Sequence, residues 1–191
     1  MKVEEFIDPY LGQTWQSLGA RVLSSGKRIS VTLGYPAAGM QAQLTKQLST
    51  FLGVDDIELD IGFSATPGRG FGQVKNVVLV SSGKGGVGKS TTAVNLALAL
   101  DAEGAKVGLL DADIYGPSQG MMLGVAEGRR PDIKDGKFFE PIRAHGLKAM
   151  SMSFMITDKT PMVWRGPMAS GALQQILGQT LWGDLDYLIV D

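Results

Sequence analysis

Apolar and polar positions alternate in two registers along this chain, and the register changes near residue 70. Residues 20–24 and 28–34 alternate with a period of two and read as strands turning at Gly26-Lys27. Met40, Leu44, Leu48 and Phe51 or Leu52 recur at helical spacing over 40–52, and Ile57, Leu59 and Ile61 alternate again as a strand. The pattern predicts a small β-β-α-β unit over 1–63. Ser64 to Gly72 is rich in glycine and reads as a linker, taken here as 64–74. From residue 75 the pattern shifts. Val77-Val78-Leu79-Val80 is a continuous apolar run, which predicts a parallel strand buried on both faces. A glycine loop follows, then a mostly apolar helix over 89–103 ending at Gly104, and a second buried strand, Val107 to Leu110, ending at Asp111. Strand, helix and strand at this length make a βαβ unit, so an α/β fold with a parallel sheet is expected over 75–191. Asp135-Gly136 predicts a hairpin turn, 168–181 a helix, and Leu188-Ile189-Val190 a third buried strand. Asp191 stands on the tip of that strand. Such a strand ordinarily feeds further helix and sheet, so the sheet is expected to be truncated there.

Composition narrows the classes. Glycine is in excess, 26 of 191 residues, and much of it lies in one loop. With 18 basic and 19 acidic side chains the net charge is -1, which offers no electrostatic footprint for nucleic acid or an anionic membrane. The chain has no cysteine, which excludes a disulfide framework, a thiol nucleophile and thiolate ligation within these residues. The start, MKVEEFIDPY, lacks the basic end and apolar run of a secretory signal, and no stretch reaches the ~20 apolar residues of a membrane span. A cytoplasmic protein is the expectation.

The loop carries the chemistry. Gly83-Lys84-Gly85-Gly86-Val87-Gly88-Lys89-Ser90 fits G-x-x-x-x-G-K-[ST] without a gap, between a predicted strand and a predicted helix. Glycines there let successive backbone N–H groups turn inward around phosphate oxygens, and the helix start adds its positive dipole end. Lys89 is expected on the β- and γ-phosphates of ATP, the Ser90 hydroxyl on Mg2+, and Thr91 near the α-phosphate. Lys84 is a second cation in the loop. It either crosses to a nucleotide held by another subunit, as an arginine finger does, or is a solvated loop lysine. Carboxylates belong at the ends of neighbouring strands, facing the phosphates. Asp191 suits the Mg2+-orienting acid, Asp113 the orientation of the attacking water, and Asp111 the metal's outer shell; capping of the following segment is the competing role for one of Asp111 and Asp113.

Lys84 to Thr91 matches the deviant Walker A motif, whose extra lysine marks the family of MinD, ParA and the nitrogenase iron protein. Two further stretches, Asp111-Ala112-Asp113-Ile114-Tyr115-Gly116-Pro117-Ser118 and Val163-Trp164-Arg165-Gly166-Pro167-Met168, resemble the Mrp/ApbC branch, the iron–sulfur cluster carrier ATPases. The resemblance runs from about residue 75 to the last residue. Residues 5–63 resemble the small iron–sulfur-assembly-type domain that precedes the ATPase in many bacterial members; Tyr35 to Gly39 lacks the cysteine some relatives carry there, and the opening helix is nearly absent. What the resemblance implies is a homodimer with ATP at its interface, Lys84 reaching across it, Asp113 in switch I, and Asp191 opening switch II. It also implies a cluster, 4Fe–4S, bridged between subunits by cysteines beyond residue 191, with a scaffold protein and client apoproteins as partners. These 191 residues would then turn over ATP weakly or not at all. The alternative within the wider family is a positioning ATPase of the MinD/ParA type.

Other features point to less. His145, the one histidine, reads as a surface or capping residue in a turn, and Met150, Met152 and Met155 as core. Trp164-Arg165 is either a stacked surface pair or a loop anchor, and Arg69 a solvated linker residue.

Overall fold

The computed structural model describes residues 2–65, 72–155 and 166–191. The chain divides into two compact units, Met1–Thr66 with Ala102–Ala105, and Pro67–Asp101 with Lys106–Asp191.

In the first unit, β1 (Arg21–Ser25) and β2 (Arg28–Leu33) form a hairpin around Gly26, whose φ of 61° a side chain would strain. Helix α1 (Gln41–Leu52) then crosses over to β3 (Glu58–Phe63), which pairs parallel to β2, giving the sheet order β1-β2-β3. Alternation decides what is buried: Ile29, Val31 and Leu33 of β2 face α1, which buries Leu44 and Leu48. The helix ends at Gly53 in the left-handed conformation, its N–H returning to the Ser49 and Thr50 carbonyls. Trp15 is wholly buried, edge-on to Phe6 at 4.7 Å. Beneath it lies Asp8, also wholly buried, whose carboxylate accepts hydrogen bonds from the Tyr10 and Leu11 amides, the Trp15 indole and the Tyr35 hydroxyl.

In the second unit, β4 (Val74–Leu79), α2 (Lys89–Ala102), β5 (Val107–Asp111), the short α3 (Gln119–Met122), β6 (Asp132–Lys134), β7 (Phe138–Glu140), β8 (Ile142–Ala144), β9 (Leu147–Ser151), α4 (Gly166–Gln179) and β10 (Leu185–Val190) follow in order. The main sheet has the order β4-β10-β5-β9-β8. Its first four strands are parallel, and β8 turns back antiparallel to β9 through His145 and Gly146, both at positive φ. The α/β fold with a parallel sheet is as expected from the buried runs. Strand β5 is buried at every residue. Gly108 leaves room within it: a Cβ there would lie 2.7 Å from a Leu185 methyl. The β6–β7 hairpin turns through Asp135 and Gly136, and exposed His145 sits in a turn. Met150 and Met152 are in the core with Leu110, Leu188 and Trp182, while Met155 packs at its margin.

One strand departs from expectation. The run Val77 to Val80 is not buried on both faces: Val77 is 37% exposed and Leu79 73% exposed. Among the described residues β4 pairs with β10 alone, so it is an edge strand, and an edge strand lacks the neighbours that would cover it. Most of the proposed linker, with Arg69, and the Trp164-Arg165 pair lie outside the described residues. Among those described, no helix is long and apolar enough to cross a membrane.

Candidate functional site

Strand order positions the site. Because β10 lies between β4 and β5, the tips of all three strands converge at one end of the sheet. The ladder continues past the strands themselves: Val80 N–H donates to the Val190 carbonyl, Asp191 N–H to that of Leu110, and Ala112 N–H to that of Asp191. Asp191 is thus fixed beside the start of the glycine loop on one side and beside Asp111 on the other. Buried Asp186, near the opposite end of β10, pairs with Lys75 at 2.8 Å and caps the Lys106 amide, a structural tie remote from the loop.

The loop is exposed from Ser81 to Gly88, and the chain enters α2 at Lys89. Gly86 and Gly88 have φ of 74° and 90°, values that let the backbone fold around a central ligand and that other residues rarely adopt. Space is open where a Cβ would project at Gly83, Gly85, Gly86 and Gly88. Together with Lys84, Lys89, Ser90, Thr91, Asp113, Ser118, Met121 and Met122 these residues line an open pocket of about 640 Å³. Val87 is not in that lining and projects outward, 57% exposed.

At the floor of the pocket the Lys89 ammonium donates to Asp191 Oδ1 at 2.6 Å and stands 4.0 Å from Asp113 Oδ2. The Asp191 side chain is fully buried and also takes hydrogen bonds from the side chains of Ser90 and Gln119. Burial alone would push its pKa up; the bonds from Lys89, Ser90 and Gln119 outweigh that and hold it below the ordinary carboxylate value. Ser90 Oγ and the Asp191 carboxylate form an adjacent pair of hard oxygen donors, a donor set that fits Mg2+. Asp113 is partly exposed and accepts from the Tyr115 and Gly116 amides, so its loop is closed upon itself beside Lys89.

Asp111 takes the capping role that the sequence left open for one of the two aspartates. It is wholly buried behind the pocket, and its oxygens accept from the amides of Asp113, Ser118 and Gln119 and from the Ser151 hydroxyl. It caps α3. Burial pushes its pKa up, against the backbone hydrogen bonds and in the same direction as the neighbouring Asp191 charge. Lys84 is exposed and, among the described residues, forms no ion pair; its backbone N–H and carbonyl are both bonded to Ser82 Oγ.

Sequence reasoning gave no site role to Ser118, Met121 and Met122, the wall that faces the loop, nor to Gln119 behind it. Only the position of Gln119, directly after the Asp111–Ser118 motif, could have pointed to it.

A family profile described as ParA, NUBPL iron-transfer P-loop NTPase, matches residues 73–191, the whole of the glycine loop, both strand-end carboxylates and α4. This chain belongs to that family. Among similar proteins, the iron–sulfur cluster carrier protein of Pseudomonas fragi is 58% identical over 154 residues, 78% of this chain and 54% of that one. The iron–sulfur cluster carrier protein of Deinococcus radiodurans is 43% identical over 199 aligned positions, which include 96% of this chain and 55% of the relative. A solved structure, the nucleotide-binding protein of Archaeoglobus fulgidus in complex with ADP, is 37% identical with a TM-score of 0.49, over 60% of this chain and 42% of that one. The chain spans about half the length of the curated relatives it matches. As a NUBPL-type P-loop NTPase the chain accounts for its nucleotide loop. It does not account for cluster ligation: there is no cysteine, and among the described residues no group of three His, Asp or Glu could hold a metal ion.

Proposed function

We propose that this chain is the ATP-binding and ATP-hydrolysing portion of a cytoplasmic iron–sulfur cluster carrier. The observation that carries this reading is the convergence of Lys89, Ser90 and Asp191 beneath an open glycine loop, in a chain matched to an iron-transfer family. In this reading the loop from Gly83 to Thr91 wraps the phosphates with backbone N–H groups, and Lys89 serves the β- and γ-phosphates. Its ammonium is already held by Asp191, so it exchanges one anionic partner for another when it meets the nucleotide. Ser90 and Asp191 hold Mg2+, which when bound neutralises charge on the phosphates. Asp113, 4.0 Å from the Lys89 ammonium, orients the attacking water. Asp111 acts through the Asp113 loop it anchors rather than on the metal.

Lys84 completes the site from the other subunit of a homodimer. What supports this is an exposed ammonium at the pocket lining, in a loop whose cis-acting cation is already Lys89. The cluster is cargo, 4Fe–4S, ligated by cysteines outside these 191 residues, received from a scaffold protein and passed to client apoproteins. Neither nucleic acid nor membrane is a partner, in keeping with the net charge of -1.

Titration of a fluorescent ATP analogue against this chain, with Mg2+, tests the nucleotide site; micromolar binding that competes with ATP is expected, and none would refute it. Anaerobic reconstitution of a form that includes the cysteine-bearing part tests the cargo. A cluster spectrum lost to an apoprotein acceptor is the expected result. ATP-dependent dimers without bound iron would favour a positioning ATPase instead.

A further inference from the structure

Gln119 is the least expected residue of the site. It is 1% exposed, yet its side chain is an uncharged amide with four hydrogen-bonding positions. Its Nε2 donates to Asp191 Oδ2 at 2.6 Å and to the Ser90 carbonyl at 2.9 Å. Both partners are acceptors only, so the amide orientation is fixed: turned over, Oε1 would face two oxygens. The fixed orientation leaves Oε1 buried without a hydrogen-bond partner, which costs free energy. Its backbone N–H donates to Asp111 Oδ2. One residue thus ties together the tip of β5 through Asp111, the tip of β10 through Asp191, and the first turn of α2 through Ser90.

The geometry points to Gln119 as a positioning residue that sets the Mg2+ donor pair, a role that rests on the nucleotide-site reading above. Lys89 occupies Asp191 Oδ1 and Gln119 occupies Oδ2, so the carboxylate is held from both sides in one orientation. The bond to the Ser90 carbonyl fixes, in the same stroke, the turn that carries the Ser90 hydroxyl. The orphaned Oε1 is accepted because a residue without the paired N–H groups could not bridge the two. Gln119 also closes the segment that begins at Asp111 and carries Asp113, so the wall of the pocket and the metal side of the site move as one piece.

The test compares the 191-residue chain with its Gln119→Met and Gln119→Ser variants, by titrating a fluorescent ATP analogue in EDTA and in saturating Mg2+. In the unaltered chain Mg2+ is expected to tighten binding; no tightening there would overturn the assignment of the donor pair. In both variants the expected result is a loss of that tightening by about tenfold, with affinity in EDTA moving less than threefold. Melting temperature separates a merely structural role, which would lower stability and weaken both affinities together. Methionine removes the orphaned oxygen as well as the bridge, so Gln119→Met is expected to fold; should it not, Gln119→Ser is read alone. Full Mg2+ tightening in a folded variant overturns the inference. Absence of any nucleotide binding by the unaltered chain would instead sink the site reading on which it rests.

Discussion

The ion pair between Lys89 and Asp191 should make Lys89 a stabilising residue apart from any contact with nucleotide, and this can be measured in the empty chain. The Lys89 side chain is 24% exposed and that of Asp191 0%, with 2.6 Å between them. Removing one partner of a fully buried pair costs about 3–5 kcal/mol, because a charge is left uncompensated in low dielectric. Here the remaining carboxylate keeps its bonds from Ser90 and Gln119, and the lysine is partly solvated, so Lys89→Ala should cost about 2 kcal/mol. Asp191→Asn removes the charge but keeps an acceptor for Gln119. The double variant should therefore recover about 1 kcal/mol of that loss, a coupling of the size seen for contacting charges. Urea unfolding followed by circular dichroism, in nucleotide-free buffer with EDTA, gives all four corners of the cycle. If Lys89→Ala costs less than about 0.5 kcal/mol, or if the two substitutions simply add, the pair is not the clamp described here.

Three other outcomes follow from the packing and the charges. Burial raises the pKa of Asp8, but bonds from Tyr35, the Leu11 and Tyr10 amides and Trp15 outweigh it and leave the folded value below the unfolded one. Its stabilisation is therefore complete above about pH 4 and fades as pH falls through the folded pKa; Asp8→Ala should cost about 2–4 kcal/mol at pH 7, with the gap to the unaltered chain narrowing in acid unfolding curves. Gly108→Ala puts a methyl 2.7 Å from Leu185 and 3.2 Å from Trp182, so thermal melts should show a loss of about 1–3 kcal/mol. In a dimeric, cluster-competent form, Lys84→Ala should lower ATP turnover about 10³–10⁵-fold more than it weakens ATP binding, as steady-state rates and titrations would report.

Local signals were the legible ones. The alternation over 28–34 marked a strand with one buried face, and Gly26 and Gly104, both at positive φ, marked the first hairpin turn and the end of α2. The glycine loop was legible because its mechanism needs a contiguous run of residues. What the pattern misjudged depended on neighbours distant in sequence. The run at Val77 is as apolar as that at Val107, yet β5 lies inside the sheet and β4 at its edge, and nothing local distinguishes them. Asp111 and Asp191 likewise both end apolar strands. Their fates diverge because α3 turns its first amides onto Asp111, while Lys89 and Ser90 reach Asp191. Gln119 was hidden for the same reason: its meaning comes from Ser90 and Asp191, 29 and 72 residues away.

The place of β10 between β4 and β5 also imposes an order in time. Lys75 on β4 and Asp186 on β10 are bonded across 111 residues. At the ~5–20 residues per second of synthesis, β4 and the phosphate loop leave the ribosome roughly 6–20 s before the strand that separates them from β5. Through that interval Lys89 has no Asp191 to pair with, and the two early strands cannot adopt their final spacing. The glycine loop is thus made well before its carboxylate, and the Lys89–Asp191 contact forms only once β10 has entered between β4 and β5.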